Sequence, residues 1–273
     1  MGHTLPGYVC QFRDSFEPQD AGTSALIRHR APPGSVDEPS SGTTARRPHP
    51  LRESSALSTR AYNKARQRFL GIVPVALREI NADIVQMVLA DPVAATIAID
   101  YAGLKIGPLQ IISVFDAIKA RRILAFYDPY DVCKSTGPGS ASYQSEIDCL
   151  IVGPIVGRLT DQGALGLFQR SVVLHELFHA AVDFQRSHVS RIASEKAAYV
   201  FQATYLRMSS FAGSSIPGAS RDTGIFHAAF SIADTLLAGR RPTPDQGHAL
   251  EAAIRAHPAY VNVSRPLHND GIR

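Results

Sequence analysis

The sequence predicts an α+β protein in which a small sheet is followed by a helical half. Three observations lead to this class. Short runs rich in β-branched and aromatic residues are confined to residues 95–152, and residues 166–256 show helical periodicity. The first 58 residues are instead rich in Pro, Ser and Arg. Strands that come first and helices that come afterwards are typical of α+β architecture.

Residues 1–58 are predicted to form a disordered leader, because so polar and Pro-rich a stretch cannot bury enough apolar area to offset its ordering entropy. It lacks a basic region followed by an apolar segment, so no Sec signal peptide is expected. Pro6 also stands where a myristoylation site needs Ser or Thr. A Ser/Pro-rich leader of this kind resembles the secretion leaders of bacterial type III effectors. A plain flexible N-terminus fits the same composition.

Residues 59–273 are predicted to form one globular domain, with no internal repeat. The first helices are expected at 58–70 and 75–90, the latter between Pro74 and a break at Asp91. The other elements follow from the period of their apolar residues: strands at 95–101, 111–115, 122–127 and 147–152, then helices at 166–184, 191–209, 223–238 and 245–256.

Composition excludes several classes of protein. No apolar run approaches the ~20 residues that span a bilayer, so no membrane span is expected. A formal net charge of +4 spread along the chain is weak support for nucleic-acid binding. Cys10, Cys133 and Cys149 form no disulfide framework, and free thiols in a reducing compartment are expected. Cys133 and Cys149 could pair only in an oxidising setting.

One segment, VVLHELFHAA at residues 172–181, combines two histidines with a carboxylate. Residues i and i+4 of a helix lie on one face, so His175 and His179 can both direct a ring nitrogen at one metal ion. Glu176 lies about 100° around the helix, where it can reach a water at that metal and act as a general base. The flanking residues are uncharged. Burying three polar side chains among them is costly unless a metal satisfies them.

This HExxH segment, with Val172 three residues before the first histidine, resembles the zincin zinc metallopeptidases. The resemblance covers the active-site helix and the helix after it. It implies a zincin-like fold, a Zn²⁺ cofactor bound by the two histidines, and hydrolysis of peptide bonds in a protein or peptide substrate with Glu176 as general base. In zincins an edge strand of the preceding sheet pairs with extended substrate, and the strand near 148–152 is expected in that place.

A catalytic zinc takes three protein ligands and keeps one position for water, so a third ligand is needed downstream. Glu195 is the predicted ligand, on a helix after a turn at 185–189, and this arrangement resembles the gluzincin branch. That branch has an aspartate one turn later, where this chain has Tyr199, so the partner of the ligand histidine is not identified.

Other side chains compete for the third position. Asp183, one turn beyond His179, can face the metal, hydrogen-bond a ligand or pair with Arg186 at the surface. His188 is a weaker candidate. The metzincin pattern requires a histidine where this chain has Gln185, which disfavours that branch. The candidates for a donor to the developing oxyanion are Tyr199, Tyr205 and His227.

The predicted function is therefore a zinc metallopeptidase. If the leader is a secretion signal, the enzyme resembles bacterial effector and toxin metallopeptidases, and its substrate is a host protein. Two alternatives remain. The chain is a catalytically inactive zinc-binding interaction protein if a fourth protein ligand closes the site. It is a cytosolic housekeeping peptidase if the leader is incidental.

Overall fold

The computed structural model describes residues 77–129, 141–153, 163–209, 223–260 and 271–272, together with five positions between 63 and 71. These residues have a mixed α+β architecture, as the sequence predicts. The elements are, in chain order, β1 (Arg78–Glu79), α1 (Asn81–Leu89), β2 (Ile99–Tyr101), β3 (Leu104–Ile106), α2 (Pro108–Lys119), β4 (Leu124–Tyr127), β5 (Ala141–Gln144), β6 (Cys149–Val152), α3 (Ala164–Phe184), α4 (Arg191–Met208), α5 (Thr223–Leu237) and α6 (Pro244–Ala256). A short 3-10 helix, Pro258–Tyr260, follows α6.

The main sheet has four strands in the order β1-β4-β6-β5. β4 and β6 are parallel, whereas β1 and β5 are antiparallel to their neighbours. All four residues of β6 are buried, because a continuous apolar run suits a strand that is covered on both faces. The expectation that residues 148–152 form the edge strand is wrong: β6 pairs on both sides, and the edge strands are β1 and β5, of which β5 contacts α3.

The predicted strand at 111–115 is wrong, because these residues lie inside α2. The helix begins with Gly107 as its N-cap, Pro108 in the first turn, and the Gln110 side chain accepting a hydrogen bond from the Gly107 N–H. Ile111, Val114, Phe115 and Ile118 are buried at helical spacing. Residues 111–115 are mostly β-branched or aromatic, and a run of five residues is too short to show a helical period.

Three strands, β1, β3 and β5, were not predicted. β3 pairs with a shortened β2 through a two-residue turn, in which Ala102 and Gly103 have positive φ of 54° and 80°. Hairpin turns favour this conformation, but alanine gives no sequence signal for it. β5 adjoins a Gly/Ser-rich stretch and carries only one large apolar side chain, Tyr143. The predicted helix at 75–90 begins later, at Asn81, after strand β1.

The predicted helices of the second half are confirmed within one or two residues by α3, α4, α5 and α6. α3 packs against α2 and β5 on one side and against α4 on the other, and α4 packs in turn against α5. α3 is therefore buried on nearly every face, and its polar residues lie inside the protein. Among the helices described, none is both long enough and apolar enough to cross a membrane.

Three predictions concern residues that the structure does not describe. The leader at 1–58 and most of the predicted helix at 58–70 lie outside the described residues, as do Cys10 and Cys133. Cys149 is buried in β6 as a free thiol.

Candidate metal centre

Helix α3 places the two motif histidines on the face that contacts α4. The two histidines are one turn of helix apart, and their Nε2 atoms lie 3.2 Å from each other. The Oε2 atom of Glu195, on α4, lies 3.5 Å from Nε2 of His175 and 3.6 Å from Nε2 of His179. The side chains of His175, His179 and Glu195 are only 7%, 16% and 10% exposed. Water therefore has little access to form hydrogen bonds with these three atoms.

This triangle has the dimensions of a metal site. A tetrahedral zinc with bonds of about 2.0–2.2 Å holds its ligand atoms roughly 3.3–3.6 Å apart. The observed separations of 3.2, 3.5 and 3.6 Å agree with that range. The cluster of His175, His179 and Glu195 can hold a metal ion, and its nitrogen and oxygen donors suit a first-row divalent metal.

The hydrogen bonds around His175 determine which ring nitrogen faces the triangle. Its Nδ1 lies 3.1 Å from Oε1 of Gln202. The Gln202 amide nitrogen donates to Oγ of Ser171, whose hydroxyl in turn donates to the carbonyl of Phe168. Gln202 therefore presents its carbonyl oxygen to His175, which must donate through Nδ1–H. The Nε2 lone pair of His175 then points into the triangle, as metal coordination requires.

His179 is held in the same manner. Its Nδ1 lies 2.9 Å from the hydroxyl of Ser194, the residue before Glu195 on α4. With Nδ1–H donated to this hydroxyl, the second Nε2 lone pair also faces the triangle. Two lone pairs and a carboxylate oxygen then converge on one point. A proton on one imidazole satisfies part of this set, whereas a divalent cation satisfies all of it.

Glu195 is ionised in this environment. Burial alone raises its pKa, but the imidazoles of His179 and His175 outweigh burial and hold the pKa of this carboxyl well below its usual range. Its two oxygens have different neighbours. Oε2 faces the histidines, and Oε1 lies 3.8 Å from Nε of Arg191, one turn earlier on α4.

Glu176 is half-buried beside the triangle and is not a member of it. Its Oε2 accepts a hydrogen bond of 2.8 Å from the backbone N–H of Tyr143, on the edge strand β5. Burial raises the pKa of Glu176 to about 7, although His175 and the Tyr143 N–H act in the opposite direction. A carboxylate with a pKa near neutrality, anchored through one oxygen only, can take up and release a proton.

Asp183 does not compete for the metal. It is fully buried one turn after His179, and its Oδ2 accepts a hydrogen bond from the hydroxyl of Tyr143. Its Oδ1 accepts from the backbone N–H of Gly271 at 3.0 Å. The Tyr143 hydroxyl also contacts the buried Asp148 at 3.1 Å. The suggested surface pairing of Asp183 with Arg186 is therefore wrong, because Asp183 is an interior residue that joins α3 to β5 and to residue 271.

The three candidate oxyanion donors lie in different places. The ring of Tyr199 packs edge-on against His175 at 4.6 Å, and its hydroxyl lies 2.7 Å from that of Tyr260. Tyr205 is bound to Asp91 and Arg170 instead, and His227 is exposed on α5. His188, the weaker candidate ligand, is exposed in the turn between α3 and α4.

Four residues around the site were not predicted. Ser194 and Gln202 orient the histidines, and both lie on α4 with Glu195. The seven-residue spacing places Gln202 on the same face of α4 as Glu195, but Ser194, one residue before it, lies about 100° around the helix, so spacing alone does not identify the pair. Tyr143 and Tyr260 belong to other elements, and the sequence gives no signal that joins them to the motif.

A comparison of the chain with protein-family models, with curated proteins and with solved structures finds no match in any of the three. The description of this centre therefore rests on its own residues: two imidazoles and one carboxylate at metal-binding separations, with a second carboxylate beside them.

Proposed function

We propose that this protein is a zinc-dependent metallopeptidase of the zincin type, in which His175, His179 and Glu195 bind Zn²⁺ and Glu176 is the general base. The observation that carries the proposal is the triangle of two Nε2 atoms and one Oε2 atom, with separations of 3.2–3.6 Å, beside a carboxylate that is not part of it.

Zinc is favoured over the hard cations. Mg²⁺ and Ca²⁺ are bound mainly by oxygen atoms, whereas this site offers two imidazole nitrogens and one carboxylate. Two histidines and a glutamate form a known type of catalytic zinc site, and three protein ligands leave a position for water. A Zn²⁺ ion held by these three residues would polarise the scissile carbonyl and would lower the pKa of its water towards about 7.

A catalytic site is favoured over a closed structural site. Among the described residues, the cluster contains three ligating side chains and no fourth. Asp183, the other acidic residue of α3 besides Glu176, is engaged by Tyr143 and Gly271. Structural zinc sites have four protein ligands, so the three-ligand arrangement favours the enzyme over the inactive interaction protein.

The position of the edge strand supports a peptide substrate. β5 ends the sheet beside α3, and the Tyr143 N–H points away from β6 towards Glu176. By the alternation of an antiparallel pair, the backbone groups of Ala141 face the same side. An extended peptide can pair with such an edge and lie across the base. A sheet edge, a motif helix and a following helix with a glutamate together resemble the zincin arrangement.

Glu176 performs the proton transfers in this proposal. It accepts a proton from the attacking water as the water oxygen bonds to the scissile carbonyl carbon. It then gives that proton to the leaving nitrogen as the C–N bond breaks, so the carboxylate is regenerated. The Tyr143 N–H holds one oxygen of Glu176 in place, which leaves the other to exchange the proton. Ser194 and Gln202 keep both imidazoles in the ligating orientation.

The decisive experiment measures metal content and peptide hydrolysis on the same preparations. We expect one zinc per chain in the wild type and in Glu176→Gln, and a loss of zinc in His179→Ala and Glu195→Gln. Hydrolysis should be lost in all three variants. Glu146→Gln, at an exposed site in the β5–β6 turn, is the matched control and should keep both properties. Hydrolysis that survives in Glu176→Gln contradicts its role as base, and zinc without any hydrolysis in the wild type favours the interaction protein.

The second part of the proposal concerns the leader at 1–58, which lies outside the described residues. Its composition supports a secretion address and therefore a host-protein substrate. Deletion of residues 1–58 should leave hydrolysis unchanged and should abolish export through a type III system. Continued export of the shortened chain would contradict a secretion address in the leader, whereas no export of the full chain would favour the housekeeping peptidase.

A further inference from the structure

Arg191 is a partly exposed cation beside the candidate metal centre. It is the first residue of α4 and lies one turn before Glu195 on the same face. Its Nε is 3.8 Å from Oε1 of Glu195, which is longer than a hydrogen bond. The side chain is 36% exposed. Within the described residues this is its one ion pair, and its guanidinium donates no hydrogen bond there. Most of its five N–H groups are therefore available to a ligand.

The charge balance of the centre gives this cation a function. With both carboxylates ionised and both histidines neutral, Glu176, Glu195 and Arg191 together carry −2 + 1 = −1. A divalent metal would change this sum to +1, because its two charges would neutralise the two carboxylates. The positive charge of Arg191 is then in excess, on a partly exposed side chain beside Glu195.

We infer that Arg191 binds a carboxylate of the substrate, so that the enzyme prefers peptides with an acidic side chain or a free C-terminal carboxylate next to the scissile bond. This inference rests on the proposed peptidase function. A guanidinium matches the two oxygens of a carboxylate in a bidentate pair, and such pairs confer both direction and specificity. A neutral substrate would leave the positive charge of Arg191 without a partner.

The alternative role for Arg191 is structural, in which it only holds Glu195. The separation of 3.8 Å and the half-exposed side chain argue against this role, because an anchoring arginine makes short, buried hydrogen bonds. The two roles also predict different measurements. An anchor affects zinc content and all substrates equally, whereas a recognition residue changes the ratio between acidic and neutral substrates.

The test digests a mixture of peptides with zinc-loaded protein and identifies the cleaved bonds by mass spectrometry. Three forms of the mixture are used: unmodified, amidated at the C-termini only, and amidated at all carboxyl groups. Wild type should cleave the fully amidated mixture about tenfold less efficiently, since a charge-assisted pair is lost. The C-terminally amidated mixture shows whether Arg191 binds an acidic side chain or the free C-terminal carboxylate. Arg191→Gln should abolish the preference without loss of zinc, and Arg191→Lys should keep part of it.

Arg240→Gln is the control, because it removes the same charge from an exposed loop. A second readout does not need turnover: zinc-loaded Glu176→Gln should bind a cleaved acidic peptide about tenfold more tightly than its amide, and Glu176→Gln/Arg191→Gln should not. An equal preference in wild type and Arg191→Gln overturns this inference alone. No cleavage of any mixture by zinc-loaded wild type overturns the proposed function, and the inference with it.

Discussion

The Nδ1 atom of His175 lies 3.1 Å from Oε1 of Gln202, which is itself held by the hydroxyl of Ser171. This chain fixes the ring orientation and the tautomer of His175. We therefore expect Gln202→Ala to weaken zinc binding by about 10- to 100-fold while the protein stays folded. Competition with a zinc-binding dye measures the affinity. Gln86→Ala, an exposed position on α1, should leave it unchanged, and equal effects of the two changes would contradict the role of Gln202.

Metal removal should lower the thermal stability. The three ligand atoms converge at 3.2–3.6 Å with their lone pairs directed inwards, and a metal that binds only the folded state stabilises it by mass action. At a thousandfold excess over Kd the gain is about 4 kcal/mol. This corresponds to a rise in Tm of roughly 10 °C for a protein of this size. Differential scanning calorimetry with zinc and with a chelator tests this expectation. His179→Ala should show no such difference.

Tyr143→Phe should separate stability from catalysis. The hydroxyl of Tyr143 donates its one proton to Asp183 and also lies within hydrogen-bond distance of Asp148, so its removal should cost about 1–3 kcal/mol in free energy of unfolding. The backbone N–H that holds Glu176 remains, so kcat at a temperature where the variant is folded should change less than threefold, by rough estimate. Urea titration and steady-state kinetics measure the two quantities. Tyr101→Phe is the control, because the Tyr101 hydroxyl makes no hydrogen bond within the described residues. Neither its free energy of unfolding nor its kcat should fall.

Stability should fall at alkaline pH. Burial raises the pKa of Tyr101 to about 12, with a contribution from Glu251. Burial and a hydrogen bond to Asp91 raise the pKa of Tyr205 to about 12. The folded state therefore holds these protons more tightly than the unfolded state, whose tyrosines ionise near 10. This stabilisation is complete below about pH 10 and is lost as the pH rises to about 12.

Urea midpoints measured between pH 8 and pH 11.5, with tyrosinate absorbance followed in parallel, test this dependence. The tyrosinate absorbance of Tyr101 and Tyr205 should appear together with unfolding and not before it. A folded protein in which all tyrosines ionise near pH 10 would contradict the burial of these hydroxyls.

The three residues of the candidate metal site could be predicted from sequence because their geometry is local. One turn of helix relates His175 to His179, and a short turn returns the chain so that α4 places Glu195 opposite them. The partners Ser194 and Gln202 were missed because their roles depend on the rotation of α4 about its axis, which packing against α5 and α3 determines. The spacing of residues in the sequence alone does not fix that rotation.

The sheet was harder to predict for a different reason. Residues 111–115 have the composition of a strand, but Gly107 and Pro108 start a helix there and the buried positions follow its period. Tyr143 holds Glu176 from a strand that lies 33 residues earlier in the chain. That pairing depends on the position of β5 at the edge of the sheet, which is a property of the complete topology.

The contacts of the centre differ greatly in sequence separation, and this difference predicts an order of assembly. The three ligands lie within a single helical hairpin, with contacts that span 15 and 27 residues. Contacts between neighbouring helices close small loops and form early, whereas the contact of Tyr199 with Tyr260 spans 61 residues. Zinc added during refolding should therefore be captured by the α3–α4 hairpin before hydrolytic activity returns. Stopped-flow refolding, followed by a zinc-sensitive dye and by peptide turnover, would show the two events at different times.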